Sequence, residues 1–353
     1  MTSDNPPLPA DRDLLRHHGD RDAGPGLLDF AVNVRGGRPP RWLRDRLAGA
    51  LDRLGTYPSP ADDLRARAAA AARHGRHPDE VLVLNGSAEG FALLPALTPR
   101  LAAVVHPSFT EPEVALRTGG VPVHRVLLDA EDGYALHPDR VPEAADLVVV
   151  GNPTNPTSTL HPAELIRALR RPGRVVLVDE AFMDAVPGEP ESLAGESGVL
   201  VFRSLTKTWA LPGLRAGYAL GDPDVLARLA RNRPQWPVGT LSLEAVVACC
   251  EAPALAEAEL AAIDARDHRE VLVAELGHLV QGDPRAPFLL LRVPGGERLR
   301  HALRARGIAV RRGDTFPGLG PDHLRVAVRS PGECAPLLAA LAELVPDELE
   351  VHP

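Results

Sequence analysis

The sequence has few cysteines and no long apolar run. Its 353 residues include three cysteines, Cys249, Cys250 and Cys334, an odd number without the spacing of a disulfide framework, which indicates a reducing compartment. No apolar run approaches the roughly 18 residues of a membrane-spanning helix. The polar, proline-rich residues 1–13 lack the apolar segment of a signal peptide. These absences predict a soluble, cytoplasmic protein that does not enter a membrane.

The chain also lacks an excess of basic residues. Its 39 lysines and arginines are outnumbered by 47 aspartates and glutamates, which gives a formal net charge of -8. Without a basic footprint, a nucleic-acid partner is not expected. Hydrophobic residues make up 44% of the chain, enough to bury the core of one large domain or of two ordinary ones.

Short apolar runs alternate with helical patterns between about residues 60 and 220. The predicted strands are residues 81–84, 102–105, 121–126, 147–150, 175–178 and 200–202, with 216–220 as a candidate edge strand. The predicted helices are residues 61–74, 88–97, 110–119, 161–170 and 223–232. Continuous apolar strands separated by helices favour a mostly parallel sheet that is covered on both faces. We therefore expect an α/β fold with a three-layer large domain over residues 45–234.

The pattern changes after residue 234. Long helices rich in alanine, leucine and glutamate are predicted over about 241–280, followed by strands at 288–293, 308–312 and 324–328 and helices near 295–305 and 331–345. These elements predict a smaller α+β domain. We expect it to be built from both termini, residues 1–44 and 235–353.

Distinctive polar residues follow five of the predicted strands. They lie at positions 85–87, 106–109, 152–157, 179–180 and 204–207. Ligands of open α/β sheets bind outside the carboxyl ends of the strands. The five segments are therefore predicted to meet in one crevice.

Lys207 lies on a short bend after the apolar strand that ends near Ser204. Desolvation disfavours the ammonium form of a lysine, and a neutral amine can form a Schiff base with an aldehyde. Ser204 and Arg215 flank this lysine and could bind a phosphate. The set suggests pyridoxal 5′-phosphate. Taken alone, a surface lysine in a turn fits equally well.

Four other segments have both a chemical and an ordinary interpretation. Asp179 could pair with a protonated pyridine nitrogen, or it could be a helix cap or half of a structural ion pair. Asn155 could donate to a phenolate oxygen, or it could belong to a plain Asn-Pro turn. Ser87 could bind phosphate at a helix N-terminus, or it could simply cap that helix. Phe109 could stack on a planar ring or belong to the core.

Together these residues resemble the fold-type I pyridoxal-phosphate enzymes of the class I/II aminotransferase superfamily. The resemblance covers almost the whole chain, in the order phosphate loop, aromatic residue, N-P-T, D-E-A, S-x-x-K, R-x-G and a late arginine. It implies the following roles: Lys207 as the Schiff-base lysine, Asp179 at the pyridine nitrogen, Asn155 at the 3′ oxygen, Phe109 on the ring, and Ser87, Ala88, Ser204 and Arg215 at the phosphate. It further implies a homodimer in which Tyr57 reaches the phosphate of the partner subunit.

Two positions depart from the pattern of the superfamily. Relatives usually carry a tyrosine three residues after the aspartate, where it contacts the 3′ oxygen, and this chain has Phe182 there. Relatives also commonly read N-P-T-G, and here Ser158 replaces the glycine. The phenol donor is therefore absent.

Within the superfamily the chain is most similar to histidinol-phosphate aminotransferases and threonine-phosphate decarboxylases. The decarboxylases, including the CobC-type proteins of cobalamin biosynthesis, fit better, because H-G at position 18, D-F-x-x-N ending at Asn33, D-E-A-F at 179–182 and the R-x-x-x-x-F-P-G-L run at 311–319 resemble theirs. The implied substrate residues are His18, Asn33, Arg311 (or its neighbour Arg312) and Arg325. Ordinary alternatives are a terminal histidine and solvated edge-strand arginines. No metal site is expected at His17 and His18, because no carboxylate or cysteine cluster accompanies them.

The expected reaction is the decarboxylation of O-phospho-L-threonine to (R)-1-amino-2-propanol phosphate, with Lys207 delivering a proton to Cα. The alternative is an aminotransferase that acts on histidinol phosphate or another amino acid with 2-oxoglutarate. In both reactions the same lysine moves the proton at Cα, and cationic groups hold the anionic ends of the substrate. A non-catalytic binding role is the third and least favoured hypothesis.

Overall fold

The computed structural model of the protein describes residues 13–345. Its helices are α1 (Gly19–Asp22), α2 (Arg41–Ala48), α3 (Pro60–His74), α4 (Ser87–Leu93), α5 (Glu111–Thr118), α6 (Ala163–Arg167), α7 (Pro223–Ala230), α8 (Thr240–Cys249), α9 (Ala252–Leu276), α10 (Gly296–Ala305) and α11 (Pro331–Leu344). Its strands are β1 (Leu28–Phe30), β2 (Val81–Leu84), β3 (Ala102–His106), β4 (Val123–Leu127), β5 (Leu147–Gly151), β6 (Val175–Asp179), β7 (Leu200–Ser204), β8 (Gly217–Leu220), β9 (Phe288–Arg292), β10 (Ile308–Arg312) and β11 (His323–Ala327). Short 3-10 turns cover Leu51–Arg53, Pro78–Glu80, Leu94–Leu97, Pro138–Arg140, Met183–Ala185 and Gly277–Leu279.

Helix α3 illustrates how local sequence sets the bounds of an element. The Ser59 hydroxyl accepts from the backbone N–H of Asp62, and the Asp62 carboxylate accepts in return from the backbone N–H of Ser59. This reciprocal cap satisfies two backbone donors that the helix cannot pair internally. Pro60 takes the first helical position, and Gly75 ends the helix with a positive φ of 64°.

The large sheet has the strand order β2-β8-β7-β6-β5-β3-β4. Strand β8 is antiparallel to both of its neighbours, and the remaining neighbours run parallel. The α/β prediction with a mostly parallel sheet is confirmed. The edge position predicted for residues 216–220 is wrong, because β8 pairs with β2 on one side and β7 on the other, and all four of its residues are buried. Its residues are as fully buried as those of the central strands, and an apolar run by itself does not distinguish an edge strand from a central one.

Alternate residues of the central strands face two separate apolar clusters. On β5, Val148 and Val150 belong to the cluster that contains the buried residues of α3 and α8. Leu147 and Val149 belong to the cluster that contains Phe91 and other buried residues of α4, α5 and α7. Because successive side chains of a strand point to opposite faces, helices cover both faces of the sheet. The layers hold the carboxyl ends of the parallel strands along a common edge.

The small sheet has the strand order β1-β10-β11-β9, so the N-terminal strand β1 pairs with strands from the C-terminal part of the chain. Helices α10 and α11 and the end of α9 cover its apolar face. On the antiparallel pair of β10 and β11, Arg311 lies directly opposite Arg325. The domain boundaries at residues 45 and 234 stay a prediction.

The structure also bears on membrane-spanning helices and on the state of the cysteines. Among residues 13–345, no helix is both long and apolar enough to cross a membrane. The three cysteines are free thiols, and all of them are buried. They serve as small core residues, and the cytoplasmic location stays a prediction.

Candidate active site

A cavity of about 480 Å³ lies at the carboxyl ends of the parallel strands. All five polar segments expected to meet there contribute to its wall, through Ser87, Phe109, Asn155, Asp179 and Lys207. The sequence-predicted site residues that line it are His18, Asn33, Ser87, Ala88, Phe109, Asn155, Asp179, Ser204, Lys207, Arg215, Arg311 and Arg325. The structure thus brings together every predicted site residue except Tyr57. The roles of these residues stay predictions.

Lys207 lies in the loop between β7 and β8, where its side chain borders the cavity. Burial, together with the positive charges of Arg325 and Arg215, lowers the pKa of its ammonium group to about 8, against the opposing effect of Asp179. The ammonium nitrogen lies 5.8 Å from the centre of the Phe182 ring. A lysine with this pKa is partly neutral near physiological pH, and the neutral amine is the form that attacks an aldehyde.

Asp179 ends β6, next to β5, the strand that leads into the loop with Asn155. Burial raises the pKa of its carboxyl group to about 6, although the backbone N–H of Ala181, 3.2 Å away, and the nearby Lys207 favour the charged form. A carboxylate in this position is stabilised by a cation placed against it. A protonated pyridine nitrogen would supply that cation, so Asp179 fits a pyridoxal ring.

A close backbone approach lies between Gly86 and Arg215. Gly86 has φ +76°, and a Cβ atom on it would lie 2.5 Å from a terminal nitrogen of Arg215. The positive φ favours glycine at this position, and a side chain there would push the guanidinium away from the start of α4. Ser87 and Ser204 line the cavity with Arg215. Within residues 13–345 Arg215 makes no ion pair, and its guanidinium donates to the Pro212 carbonyl at 3.3 Å. This donor set fits a phosphate group.

Arg325 is a buried cation without a carboxylate partner among residues 13–345. Its guanidinium donates to Oδ1 of Asn155 at 2.7 Å and to the carbonyl of Ala31, while its Nε atom has no partner. Burial lowers the pKa of Arg325 to about 9, and the neighbouring Arg311 adds to the effect. The group is still cationic at neutral pH and is available to bind an anion. Because Asn155 accepts through Oδ1, its Nδ2 group is left to donate into the cavity.

Arg311 makes more contacts than Arg325. It pairs with Asp22 at 3.2 Å, donates to the Thr315 hydroxyl at 2.6 Å and lies 4.8 Å from the centre of the Phe316 ring. Burial lowers its pKa, and Asp22 opposes the shift. Arg312 points away from the cavity and pairs with Asp314. Of the two arginines considered at sequence level, Arg311 is the one in the cavity wall.

The N-terminal segment adds two polar side chains to the cavity. Both polar atoms of the Asn33 side chain are buried without a hydrogen-bond partner, as expected of a group that awaits a ligand. His18 contacts Glu111 at 2.5 Å, and its ring lies 5.3 Å from that of Phe109. Phe109 in turn contacts Phe91, at 5.9 Å between ring centres. These contacts fix the ring of Phe109 in the wall.

Some contributors were not found from the sequence. Arg329 donates to the carbonyls of Asp29, Val32 and Val34, and it thereby holds the bend that carries Asn33. Glu111, as described above, is the partner of His18. No local pattern indicates these contacts, because the partners are separated by 93 residues in one case and by about 300 in the other.

Both departures from the superfamily pattern lie against the start of β9. Phe182 packs edge-on against Phe288, at 4.8 Å between ring centres. Ser158 has φ +64° and is fully buried. Its hydroxyl accepts from the backbone N–H of Ala286 at 2.7 Å and donates to the carbonyl of Ala286 at 3.2 Å.

Tyr57 does not line the cavity of its own chain. It is 72% exposed and stacks on Trp236, at 4.2 Å between ring centres. Its predicted contact with the cofactor of a partner subunit stays a prediction.

The comparisons with known proteins agree on one family. The sequence model described as "Aminotransferase class I and II" matches residues 26–341. A histidinol-phosphate aminotransferase of Mycobacterium tuberculosis is 54% identical over 346 residues, which cover 96% of this chain and 92% of the relative. The threonine-phosphate decarboxylase of Salmonella typhimurium is 32% identical over 336 residues, which cover 90% and 91%. The solved structure of the histidinol-phosphate aminotransferase from Clostridium acetobutylicum superposes with a TM-score of 0.82 at 22% identity, over 90% of this chain and 99% of that one.

Proposed function

Because the chain belongs to the class I and II aminotransferase family, we propose that it exchanges the amino group of L-histidinol phosphate, or of another amino compound with an anionic end, with 2-oxoglutarate. The cofactor is pyridoxal 5′-phosphate, which the family uses. The contacts of Asp179, Gly86 and Arg215 described above fit this group.

The observation that carries the proposal is the identity to the Mycobacterium tuberculosis aminotransferase. That identity is 54% over nearly the whole chain, against 32% to the Salmonella typhimurium decarboxylase. Sequence motifs favoured decarboxylation, and the comparisons favour the aminotransferase alternative instead. Most of those motifs lie at the predicted substrate residues, and they do not separate the two reactions, because arginine binds a phosphate and a carboxylate in the same way.

The residues of the cavity have distinct tasks in this reaction. When bound, pyridoxal 5′-phosphate supplies an aldehyde and a ring that withdraws electrons from the substrate Cα. Ser87, Ser204 and Arg215 would hold its phosphate, and Asp179 would hold its ring nitrogen. Lys207 would bind the aldehyde and then, once released, move the proton at Cα. A pKa near 8 suits a lysine that must both accept and return a proton near neutral pH.

Arg325 would anchor the anionic end of the substrate. L-Histidinol phosphate has a phosphate and no carboxylate, so one guanidinium without a carboxylate partner is enough to orient it. The planar fork of arginine binds a phosphate or a carboxylate with two parallel hydrogen bonds. The same side chain would therefore accept a carboxylate of 2-oxoglutarate in the second half of the reaction.

Decarboxylation of O-phospho-L-threonine is the second candidate. This substrate has both a phosphate and a carboxylate, and Arg311 lies opposite Arg325 in the wall of the same cavity. The pair of guanidinium groups supports this reading, together with the 32% identical decarboxylase. The ion pair of Arg311 with Asp22 counts against it, because that arginine is already neutralised.

We further propose that the active unit is a homodimer. The exposed stack of Tyr57 on Trp236 supports the predicted reach of Tyr57 into a partner's cavity, since a symmetric pair would cover this apolar surface.

Incubation of the cofactor-loaded protein separates the candidates. One sample contains L-histidinol phosphate with 2-oxoglutarate, and the other contains O-phospho-L-threonine alone, with products identified by mass spectrometry. Glutamate formation in the first sample is the expected result. Release of CO₂ in the second sample, without glutamate in the first, would overturn the aminotransferase. If the protein converts neither substrate, and Lys207→Ala still functions normally in cells, the protein has a binding role.

A further inference from the structure

Ser158 occupies a position at which the superfamily commonly has glycine, and its backbone has the left-handed conformation that favours glycine, with φ +64°. A side chain in this conformation is strained, so its presence calls for a compensating contact. The hydroxyl of Ser158 makes two hydrogen bonds, one with the N–H and one with the carbonyl of Ala286. The carbonyl of Ser158 also accepts from the N–H of Arg285 at 2.8 Å. One residue is thus joined to the segment before β9 by three hydrogen bonds.

These bonds connect the two sheets. Ser158 belongs to the loop after β5 of the large sheet, and Ala286 lies two residues before the start of β9 of the small sheet. Strand β9 pairs with β11, and in that register Leu290 lies opposite Arg325. The Phe288 ring lies 5.6 Å from the Arg325 guanidinium. The position of β9 therefore sets the position of the cationic group in the cavity.

A second contact closes a ring. Asn155, three residues before Ser158 on the same loop, accepts from Arg325 at 2.7 Å. The contacts run from Asn155 to Arg325, across the β11–β9 pair to Ala286, and back through Ser158 to Asn155. The Ser158 hydroxyl thus helps to hold β9, and with it Arg325, relative to the loop that carries Asn155. Phe182 packs on Phe288 within this closed set of contacts. It makes an apolar contact at the position where relatives usually carry a tyrosine.

We propose that Ser158 is a positioning residue, which places Arg325 against Asn155 and so sets the affinity for the anionic end of the substrate. Ser158 does not touch the reacting atoms. The identity of the substrate in this inference rests on the proposed function. The binding of an anion by Arg325 does not depend on that function.

Ser158→Gly is the test variant, because glycine accepts φ +64° and removes the hydroxymethyl group together with both hydrogen bonds of its hydroxyl. The expected result is a KM for the phosphate substrate raised on the order of tenfold, toward the lower end of the effect of two lost hydrogen bonds, with kcat changed less than about twofold. Thr98→Gly is the matched control. Thr98 also has a positive φ, of 52°, but is exposed and distant from the cavity lining. It should leave KM unchanged.

A double-mutant cycle tests whether Ser158 acts through Arg325. In an Arg325→Gln background, adding Ser158→Gly should change KM no further, because the group that it positions is gone. Full additivity would overturn the proposal. So would a lower unfolding temperature with an unchanged KM, since that result means a structural role only. Ser158→Ala repeats the measurement if the glycine variant folds poorly.

The outcome is separable from the proposed function. If neither candidate substrate is turned over, the same cycle is measured by calorimetric titration of the cofactor-loaded protein with inorganic phosphate. Weaker phosphate binding by Ser158→Gly, absent in the Arg325→Gln background, then supports the positioning role although the proposed reaction has failed. Equal phosphate binding by the wild type and Ser158→Gly contradicts the positioning role even if histidinol phosphate is a substrate.

Discussion

At the scale of single residues, the cavity is defined by charges that the fold leaves without full compensation. Lys207 and Asp179 lie in surroundings that disfavour both charged forms, and burial moves their pKa values to about 8 and about 6. Arg325 is held as a cation by backbone and amide oxygens rather than by a carboxylate. Groups perturbed in this way are typical of active sites, because burial that is costly for stability tunes the chemistry.

The first prediction concerns the pH dependence of cofactor attachment. Only neutral Lys207 attacks an aldehyde, so the rate at which apo-protein takes up pyridoxal 5′-phosphate should rise with pH, with a midpoint near pH 8. Stopped-flow absorbance over pH 6 to 10 measures it. Asp179 raises the pKa of Lys207, so Asp179→Asn should move the rise to lower pH. A rise centred near the ordinary lysine value would contradict the burial of Lys207.

The second prediction concerns the anion anchor. Arg325→Gln should raise KM for a phosphate substrate by roughly a hundredfold, the effect of losing one charge-assisted hydrogen-bond pair. Arg325→Lys should have a KM between those of the wild type and Arg325→Gln, because an ammonium keeps the charge but not the planar fork. Steady-state kinetics provide the measurement. Arg312→Gln is the matched control, since Arg312 pairs with Asp314 outside the cavity, and an equal effect there would refute the assignment.

The sequence predicted the cavity residues better than it predicted their contacts. Lys207, Asp179, Asn155 and Ser87 each follow a predicted strand, and strand ends meet at one sheet edge whatever the side-chain details. The contact of Arg311 with Asp22 spans 289 residues and depends on how β10 pairs. Local patterns contain no information on such pairings. The sequence therefore predicted which residues line the cavity, but not which side chains they contact.

At the scale of elements, the connecting segments position the site, and the helices and strands support them. The bend formed by residues 29–34 is held by Asp29, whose carboxylate accepts from the N–H groups of Ala31 and Val32, and by Arg329. Strand β8 shows where element reasoning fails. Its apolar residues predicted a strand correctly, but a single run of four residues does not reveal whether one or both of its edges are paired.

The third prediction tests that bend. Arg329→Gln removes donors to three backbone carbonyls, so amide hydrogen exchange of residues 31–35 should become faster, and the free energy of unfolding should fall by about 1–3 kcal/mol. Exchange read by mass spectrometry gives the local effect. Arg174→Gln is the control, because Arg174 also donates to several carbonyls, including those of Ala145 and Leu169, but far from this bend. If both variants loosen residues 31–35 equally, the assignment to Arg329 is wrong.

At the scale of the whole molecule, the alternation of strands and helices was enough to predict the two-sheet architecture. Continuous apolar strands in a parallel sheet are covered by helices on both faces. The three short strands near the C-terminus lie outside that alternation and therefore predicted a second, smaller domain. The pairing of β1 with β10 brings the N-terminal residues to the same sheet. The substrate was not predictable in this way, because a phosphate and a carboxylate are bound by the same arginine chemistry.

The fourth prediction concerns assembly. If Tyr57 completes the cavity of a partner, Tyr57→Ala and Lys207→Ala homodimers should both have little activity, while a mixture that exchanges subunits should regain up to about half of the wild-type activity per mixed dimer. In such a dimer, one site combines Lys207 of one chain with Tyr57 of the other. Activity assays after subunit mixing measure it, with sedimentation to establish the dimer. No recovery in a mixture proven to exchange would argue against shared sites.

The charge of Arg325 has a consequence for the thermal stability of the protein. Burial disfavours the charged form of this guanidinium, which has no carboxylate partner among residues 13–345, so keeping it charged costs folding free energy. An anion that binds to Arg325 compensates this cost, and its binding also stabilises the fold by an amount that grows with the logarithm of its concentration. We therefore expect the protein to resist heat and proteolysis better when its anionic substrate is present.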